Sequence, residues 1–123
     1  MKRFQLLIAL LTSALGLAST SAACPDIDGL VDVNCDGELH IIAFGDSITA
    51  GVGDSKRSGY PGRLKNIFPH AQVRNLGVPG EGTSRGRSRA QSILDNYEKT
   101  DYAIVLEGVN DYFDPTRSAF HTR

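Results

Sequence analysis

Ser47 is the residue of this 123-residue chain whose surroundings point most directly to chemistry. An apolar run, LHIIAF at residues 39–44, stops abruptly at Gly45, Asp46 and Ser47. Gly, Asp and Ser are ordinary turn residues, so a strand ending in a turn is the plainer interpretation. A serine hydroxyl is also a weak nucleophile that becomes reactive when a neighbouring base takes its proton. The segment is therefore either a simple turn or a nucleophile held at the end of a strand.

Two further polar clusters hold residue types that complement a nucleophilic serine. NLGVPG at residues 75–80 contains Gly77, and GVND at residues 108–111 contains Asn110. Attack on an ester builds negative charge on the former carbonyl oxygen, which needs preorganised donors such as backbone N–H groups and an Asn amide. Glycine allows unusual backbone angles and close approach. Ser47 could thus supply the nucleophile and one N–H, Gly77 a second N–H and Asn110 a side-chain NH₂.

The elements that must position these clusters alternate between strand and helix. Apolar runs predict strands at residues 39–44, 71–76 and 101–107, and helices are expected at 60–68 and from 83 to about 99. This order favours an α/β fold with a parallel sheet covered by helices. Ligands of such sheets bind beyond the carboxyl ends of the strands. We therefore expect the three clusters to lie at one edge of the sheet.

Both predicted helices have an apolar face. Pro61 fits the first turn of the first helix, and Thr83 or Ser84 could cap the second. The residues expected on these faces are Leu64, Ile67 and Phe68 in the first helix and Ala90, Ile93, Leu94 and Tyr97 in the second.

The three clusters, in this order, resemble the sequence blocks of the SGNH, or GDSL-type, serine hydrolases. GDSIT at residues 45–49 is similar to the first block, NLG at 75–77 to the second and GVND at 108–111 to the third. The resemblance covers about residues 39–114 and implies a flavodoxin-like three-layer α/β/α fold with a parallel sheet. It also implies hydrolysis of carboxylic esters through an acyl-Ser47 intermediate, with no metal and no organic cofactor.

The resemblance assigns a role to each matching residue. Ser47 is the nucleophile, and the oxyanion hole consists of the Ser47 N–H, the Gly77 N–H and the Asn110 side chain. Asp46 has a structural role in this family and is not the acid of a triad. Acyl-carbohydrates, lysolipids and short acyl esters all fit as substrates of such a fold.

The family's D-x-x-H block, which carries the base, is absent from the sequence. His40 lies at the start of the first predicted strand and His70 precedes the second, so we expect both at the amino-terminal edge of the sheet, about 15 Å or more from the candidate nucleophile. His121 follows the third strand and is on the correct side, but Ser118 stands where the family has Asp, and Asp114 has the wrong spacing. His121 therefore matches the block only in part.

The missing block suggests that residues 39–123 are the N-terminal part of a longer hydrolase domain. Family members continue with further strands and helices after the third block. If the chain does end at Arg123, we expect an unpaired sheet edge, a small core and little or no ester turnover. The alternative function is then a catalytically inactive SGNH-fold protein or an exported binding module.

Residues 1–23 have the layout of a secretory signal peptide. Lys2 and Arg3 form a short positive region, residues 4–17 are mostly apolar, and small residues at 18–23 offer a cleavage site. The alternative is an uncleaved anchor, although the apolar run is short for a membrane span. We therefore expect a secreted or periplasmic protein with no stable membrane span.

The exported part of the chain is small and mildly acidic. Cleavage after Ala23 removes two basic residues and no acidic ones, which changes the net charge from −1 to −3. Such a charge makes a nucleic acid or an anionic membrane a poor partner. A small-molecule, carbohydrate or lipid ester is the partner that the resemblance implies, and the sequence leaves the oligomeric state open.

Residues 24–38 are acidic and aperiodic, so we expect an ordered or semi-ordered lead-in loop before the domain at 39–123. Cys24 and Cys35 favour a structural disulfide, because an exported chain meets an oxidising environment. The alternative is a lipid-modified Cys24. Lipoproteins of that kind usually have an aliphatic residue where this chain has Ser21.

Other ligand-binding patterns in the sequence are incomplete. Residues 32–37 match the first half of a calcium loop, but Ala43 occupies the position that needs a bidentate Glu, which favours an ordinary turn. Residues 80–82, GEG, lack the third glycine of a dinucleotide motif, and no G-x-x-x-x-G-K-[ST] segment exists. These patterns do not support a calcium-binding or nucleotide-binding protein.

Three alternating arginines mark the start of the second predicted helix. Arg85, Arg87 and Arg89 would spread over a broad helical face, so a solvated surface is the expected arrangement. They could also line the entrance to the site, which would suit an anionic or sugar-bearing substrate.

Overall fold

Strands and helices alternate along the described part of the chain, which in this computed structural model comprises residues 23–114 and residue 116. In chain order the elements are β1 (Asp26–Ile27), β2 (Leu30–Val31), β3 (Leu39–Gly45), α1 (Ser47–Ala50), α2 (Gly59–Ile67), β4 (Ala71–Gly77), α3 (Thr83–Asn96), β5 (Tyr102–Leu106) and α4 (Val109–Phe113). The predicted alternation of three longer strands with two longer helices is confirmed.

β3 is the central strand of a parallel sheet with the order β4-β3-β5. Leu39 pairs with Ala71 at the start of β4, and Gly45 pairs with Gly77 at its end. Residues 41–45 of β3 are all buried, because the strand has a neighbour on either side and a packed layer on either face. This position explains why the strand is a nearly continuous apolar run in the sequence.

The two faces of the sheet carry separate apolar clusters. Because side chains alternate along a strand, Leu39 and Ile41 face one layer, and Ile42 and Phe44 face the other. The first cluster contains Leu39, Ile41 and Val73 with Leu64 and Phe68; the second contains Ile42, Phe44 and Ile93 with Leu76 and Tyr97. α2 therefore covers one face and α3 the other, which confirms the predicted three-layer α/β/α architecture.

The lead-in is more regular than the expected loop. β1 pairs antiparallel with β2, with Ile27 opposite Leu30. Asp28 and Gly29 between them have φ angles of 56° and 83°, as a two-residue hairpin turn requires. Ile27 and Leu30 pack against the first apolar cluster, so the hairpin belongs to the folded domain. The Asp-Gly pair is a hairpin signal that the sequence interpretation did not use.

A disulfide and a buried carboxylate hold the rest of the lead-in. Cys24 and Cys35 form the expected disulfide. Asp32 is fully buried, and its Oδ2 accepts a hydrogen bond from the Gly37 N–H at 2.7 Å. The segment at residues 32–37 is thus an ordinary turn, as expected.

Within the described residues, no cluster of His, Cys, Asp and Glu is suited to hold a metal ion.

The two longer helices differ from the predicted ones in two respects: the residue that precedes α3, and one apolar side chain in each helix that is exposed. Gly82, in an extended conformation, precedes α3, and the Thr83 hydroxyl bonds to Asp111 instead of capping the helix. Ile67 and Leu94 are 62% and 56% exposed, so their expected places on the apolar faces were wrong. α1 and α4 were not predicted, because four or five residues are too few to show a helical period.

Most of the predicted signal peptide, residues 1–22, lies outside the described residues. Export therefore remains a prediction from the sequence, whereas Cys24, the alternative site for a lipid, has its sulfur in the disulfide with Cys35. In the part of the chain that the structure describes, no helix has the length and apolar character needed to cross a membrane.

Within the described residues, β5 is an edge strand that pairs with β3 on one side only. Val105 is 66% exposed, and Tyr112 and Phe113 in the following helix are also exposed. An apolar edge of this kind is suited to receive another strand or a covering segment.

Replacing Gly77 by Ala is expected to destabilise the sheet edge. An added Cβ would overlap the backbone nitrogen of Ala50 in α1, so β4 and α1 would have to separate. We expect a loss of about 2 kcal/mol or more in the free energy of unfolding, measured by urea denaturation. Gln72→Ala, at an exposed position of the same strand, is the control. Equal unfolding midpoints for the two variants would contradict this packing.

Candidate active site

The ends of the three strands meet at one edge of the sheet. Gly45, the last residue of β3, pairs in register with both Gly77 of β4 and Leu106 of β5. Ser47 follows Gly45 by two residues, and Asn110 follows Leu106 by four. The prediction that the three polar clusters lie at the same edge is therefore confirmed.

Asp46 fixes the turn that presents Ser47. Its buried carboxylate caps α1 by accepting a hydrogen bond from the Ile48 N–H at 2.9 Å, and its own N–H donates to the Leu106 carbonyl at 3.3 Å. Ser47 is the first residue of α1 and is partly exposed. Its N–H therefore has no acceptor within the helix. Asp46 thus joins the serine turn to β5, as expected for a residue with a structural role.

Close backbone packing holds α1 against the strand ends. A Cβ on Gly45 would overlap the Leu106 carbonyl oxygen and the hydroxyl of Thr49. A Cβ on Gly77 would overlap the backbone of Ala50. Both positions need glycine because neighbouring backbone occupies the space of a side chain. Ser47 is therefore held by a rigid junction of three elements.

The two predicted oxyanion donors already have acceptors in the structure. The Gly77 N–H donates to Oδ1 of Asn75 at 3.0 Å, and Nδ2 of Asn110 donates to the Glu81 carbonyl at 2.6 Å. An amide NH₂ carries two hydrogens, so Asn110 keeps a second donor, whereas the single Gly77 N–H must leave Asn75 to bind another oxygen.

A buried ion pair lies behind this edge, and the sequence interpretation missed it. The guanidinium of Arg89 bonds both carboxylate oxygens of Glu81, with Nε 3.1 Å from each. It also donates to the Leu76 carbonyl at 3.0 Å and the Gly45 carbonyl at 3.5 Å. Arg89 thus joins the ends of β3 and β4 to the loop that follows β4.

The expectation that all three arginines lie on a solvated surface was wrong for Arg89. Its side chain is 23% exposed and lies 4.2 Å from the centre of the Phe44 ring, whereas the Arg85 side chain is 75% exposed and 3.7 Å from Glu81. Glu81 lies two residues before α3, and Arg85 and Arg89 follow it at intervals of four residues, which place the two arginines on one helical face. That spacing was the available signal for the ion pair.

Glu107 adds a third buried carboxyl group, after Asp46 and Glu81, to this region. Both of its carboxylate oxygens are buried and meet no hydrogen-bond donor. Burial, together with the neighbouring Glu81 and Asp46 carboxylates, raises the pKa of Glu107 to about 7, and Arg89 acts in the opposite direction. Glu107 thus carries a proton over much of the range below neutral pH.

The structure does not bring a described histidine to Ser47. His40, near the start of β3, has Nε2 3.1 Å from the Glu38 carboxylate, and His70, just before β4, has Nδ1 2.7 Å from Asp28. Both lie at the amino-terminal edge, as expected, roughly 20 Å from the serine along the strands. His121 lies outside the described residues, so its predicted role as base stays a prediction.

Comparisons with known proteins agree with this geometry. The family model of GDSL-like lipases and acylhydrolases matches residues 43–122. The crystal structure of AlinE4, described as an SGNH-hydrolase family esterase, is 36% identical, with a TM-score of 0.58, and the match covers 63% of this chain and 44% of that one. Structures of two mutants of AlinE4 match at 37% and 36% identity, each with a TM-score of 0.56 and covering 62% of this chain and 43% of theirs.

The chain spans less than half the length of these solved structures. The comparison with curated proteins found no match. The family model nevertheless covers well over half of the chain and includes all three polar clusters. The chain therefore belongs to the GDSL-like lipase/acylhydrolase family, the SGNH hydrolases.

Proposed function

We propose that this chain carries the nucleophile and the oxyanion hole of an exported serine esterase. The observation that supports this most strongly is the register of the sheet, which brings the Ser47 turn beside Gly77 and the Gly108–Asn110 segment. The similar solved structure is described as an esterase, which favours a carboxylic ester as the substrate class.

In the proposed reaction, Ser47 Oγ attacks the ester carbonyl carbon while a base takes its proton. The negative charge on the carbonyl oxygen is stabilised by the Ser47 N–H, the Gly77 N–H and the second N–H of the Asn110 amide. The C–O bond to the alcohol then breaks, the alcohol leaves with the proton from the base, and acyl-Ser47 remains. Water attacks the acyl group in the same way and releases the carboxylic acid.

The base is proposed to come from outside residues 23–114 and 116. Within that part of the chain, His40 and His70 are at the wrong edge and are paired with carboxylates. The exposed apolar edge at β5 offers a surface against which a base-bearing segment would pack. His121 and a segment encoded beyond residue 123 are the two sources to be tested.

The substrate is proposed to occupy the hollows beside the Pro79–Gly80 turn. One hollow of about 520 Å³ is lined by residues 50–54 with Arg57 and Pro79, directly after the serine turn. Another of about 560 Å³ contains Gly80, Gly82 and the exposed Arg85. These volumes would hold a small acyl group and part of an alcohol such as a sugar or glyceride.

Ser47→Ala is expected to abolish ester hydrolysis. We expect a loss of about 10³-fold or more in kcat/KM for p-nitrophenyl acetate, because the nucleophile is removed. The assay should use the exported chain and, in parallel, the product of its source gene read past codon 123. Ser92→Ala, an exposed serine of α3, is the control. Turnover that survives Ser47→Ala in the active form would refute the proposed mechanism.

Asn110→Ala is expected to reduce kcat more than it changes KM. The lost amide acts on the charge that develops in the transition state, so kcat should fall by about 10²-fold to 10³-fold. Asn96→Ala, which removes an exposed amide at the end of α3, is the matched control. A change in KM alone would show that Asn110 binds the substrate without stabilising the oxyanion.

A further inference from the structure

Three carboxyl groups and one guanidinium form a buried group behind the candidate oxyanion hole. We call Asp46, Glu81, Glu107 and Arg89 the carboxyl cluster. Asp46 and Glu81 are 1% exposed, and the Arg89 side chain is 23% exposed. Each carboxyl group follows a different strand: Asp46 follows β3, Glu81 lies in the loop after β4, and Glu107 follows β5. The carboxyl cluster therefore contains one carboxyl group from the end of each of the three strands.

The charges of the carboxyl cluster do not balance if every carboxyl group is ionised. Arg89 is directed at Glu81 and the carbonyls of Gly45 and Leu76, so Glu107 receives none of its hydrogen bonds. Both Glu107 oxygens are instead buried without a donor, and the neighbouring Glu81 carboxylate raises the pKa of Glu107. Two adjacent carboxylates repel each other, and a proton held between them removes the repulsion and supplies the missing donor.

Glu107 lies against the neighbouring helix. Its Oε1 would be only 3.2 Å from a Cβ at Gly86, so the carboxyl group occupies the space that a side chain at this position of α3 would need.

The carboxyl cluster is connected to the candidate site through Glu81. The backbone carbonyl of Glu81 accepts the 2.6 Å hydrogen bond from Asn110, while its side chain is held by Arg89 and faces Glu107. Asn110 itself lies three residues after Glu107, on the same strand end. The position of the Glu81 backbone thus determines where the Asn110 amide is held.

We propose that a proton carried by Glu107 and donated in a hydrogen bond to the Glu81 carboxylate holds the Asn110 amide in place, so that Glu81, Glu107 and Arg89 are positioning residues for the oxyanion hole. This inference rests on the proposed function for its catalytic meaning and extends it to a pH-sensitive support of the site. The charged groups around Glu107 are Asp46 from the β3 end, Glu81 from the loop after β4 and Arg89 from α3, with Arg85 beyond Glu81. Asp111 of α4 is occupied by Thr83.

The raised pKa of Glu107 determines whether the stability of the fold rises or falls with pH. The pKa of Glu107 is raised from the ordinary 4.5 to about 7 in the folded protein. The protonated form therefore stabilises the fold fully below about pH 4.5, and this stabilisation is lost as the pH rises through about 7. Loss of the proton places a second negative charge beside Glu81 and breaks their hydrogen bond, which releases the Glu81 loop and Asn110.

Glu107→Gln tests the role of the proton, because a Gln amide donates to Glu81 at every pH. The measurement is the NMR signal of the Asn110 side-chain amide from about pH 5 to about pH 8 in both proteins. We expect a titration with a midpoint near 7 in the parent chain and none in Glu107→Gln. The urea midpoint should likewise fall with rising pH in the parent beyond any fall in the variant. Glu98→Gln, an exposed Glu near the end of α3, is the control and should behave as the parent.

A second measurement on the unsubstituted protein covers the case in which Glu107→Gln does not fold. The carbon-13 signal of the Glu107 carboxyl group should titrate with a midpoint near 7, and a midpoint near 4.5 would overturn the proposal. An Asn110 amide signal that titrates equally in Glu107→Gln and in the parent would also overturn it. Neither readout requires turnover, so a form that carries the base and titrates as expected but hydrolyses no ester contradicts the proposed function alone.

Discussion

The guanidinium of Arg89 holds together the edge on which the candidate site is built. It bonds the carbonyls of Gly45 and Leu76, near the ends of two parallel strands, and the carboxylate of Glu81 in the loop after them. A rigid guanidinium with five donors can satisfy several buried acceptors at once, which a lysine could not do in the same geometry. The backbone carbonyl of Glu81 in turn accepts from Asn110 after β5, so Arg89 is connected to the third strand end through Glu81.

Gly45 and Gly77 also stabilise this edge of the sheet, on the side where α1 packs. Gly45 and Gly77 allow α1 to lie directly on the backbone of the neighbouring strands, so Ser47 begins its helix at a fixed distance from both. Arg89 fixes the strand ends from the α3 side, and close backbone packing fixes the serine turn. The arrangement gives the preorganisation that oxyanion stabilisation needs.

The sequence predicted the strands, the sheet edge and the family, because these depend on local apolar runs and on motifs a few residues long. The short helices α1 and α4 were not predicted because four or five residues carry no periodic signal. The β1–β2 hairpin was missed because the turn signal of Asp28 and Gly29 was not used. Ile67 and Leu94 were misplaced because helical spacing alone does not say where a small sheet stops covering the helix.

The carboxyl cluster was harder to predict than the fold. Glu81 and Glu107 are 26 positions apart in the sequence. The register of the sheet brings them together, and the absence of a side chain at Gly86 leaves room for the Glu107 carboxyl group. Arg89 was taken for a surface arginine because charged residues on a helix are usually solvated, and its burial depends on acceptors from two other elements. Pairing of polar groups that are distant in the sequence depends on the tertiary structure, whereas strands can be predicted from local sequence patterns.

The most direct test of the proposed site is to identify the residue that reacts as the nucleophile. The exported chain, and the product of its source gene read past codon 123, should each be treated with a fluorophosphonate probe, digested and analysed by mass spectrometry. We expect the label on Ser47 of the form that carries the base, and we expect Asn110→Ala to slow its formation. A label on another residue, or none on any form that hydrolyses esters, would contradict the assignment of Ser47 as the nucleophile.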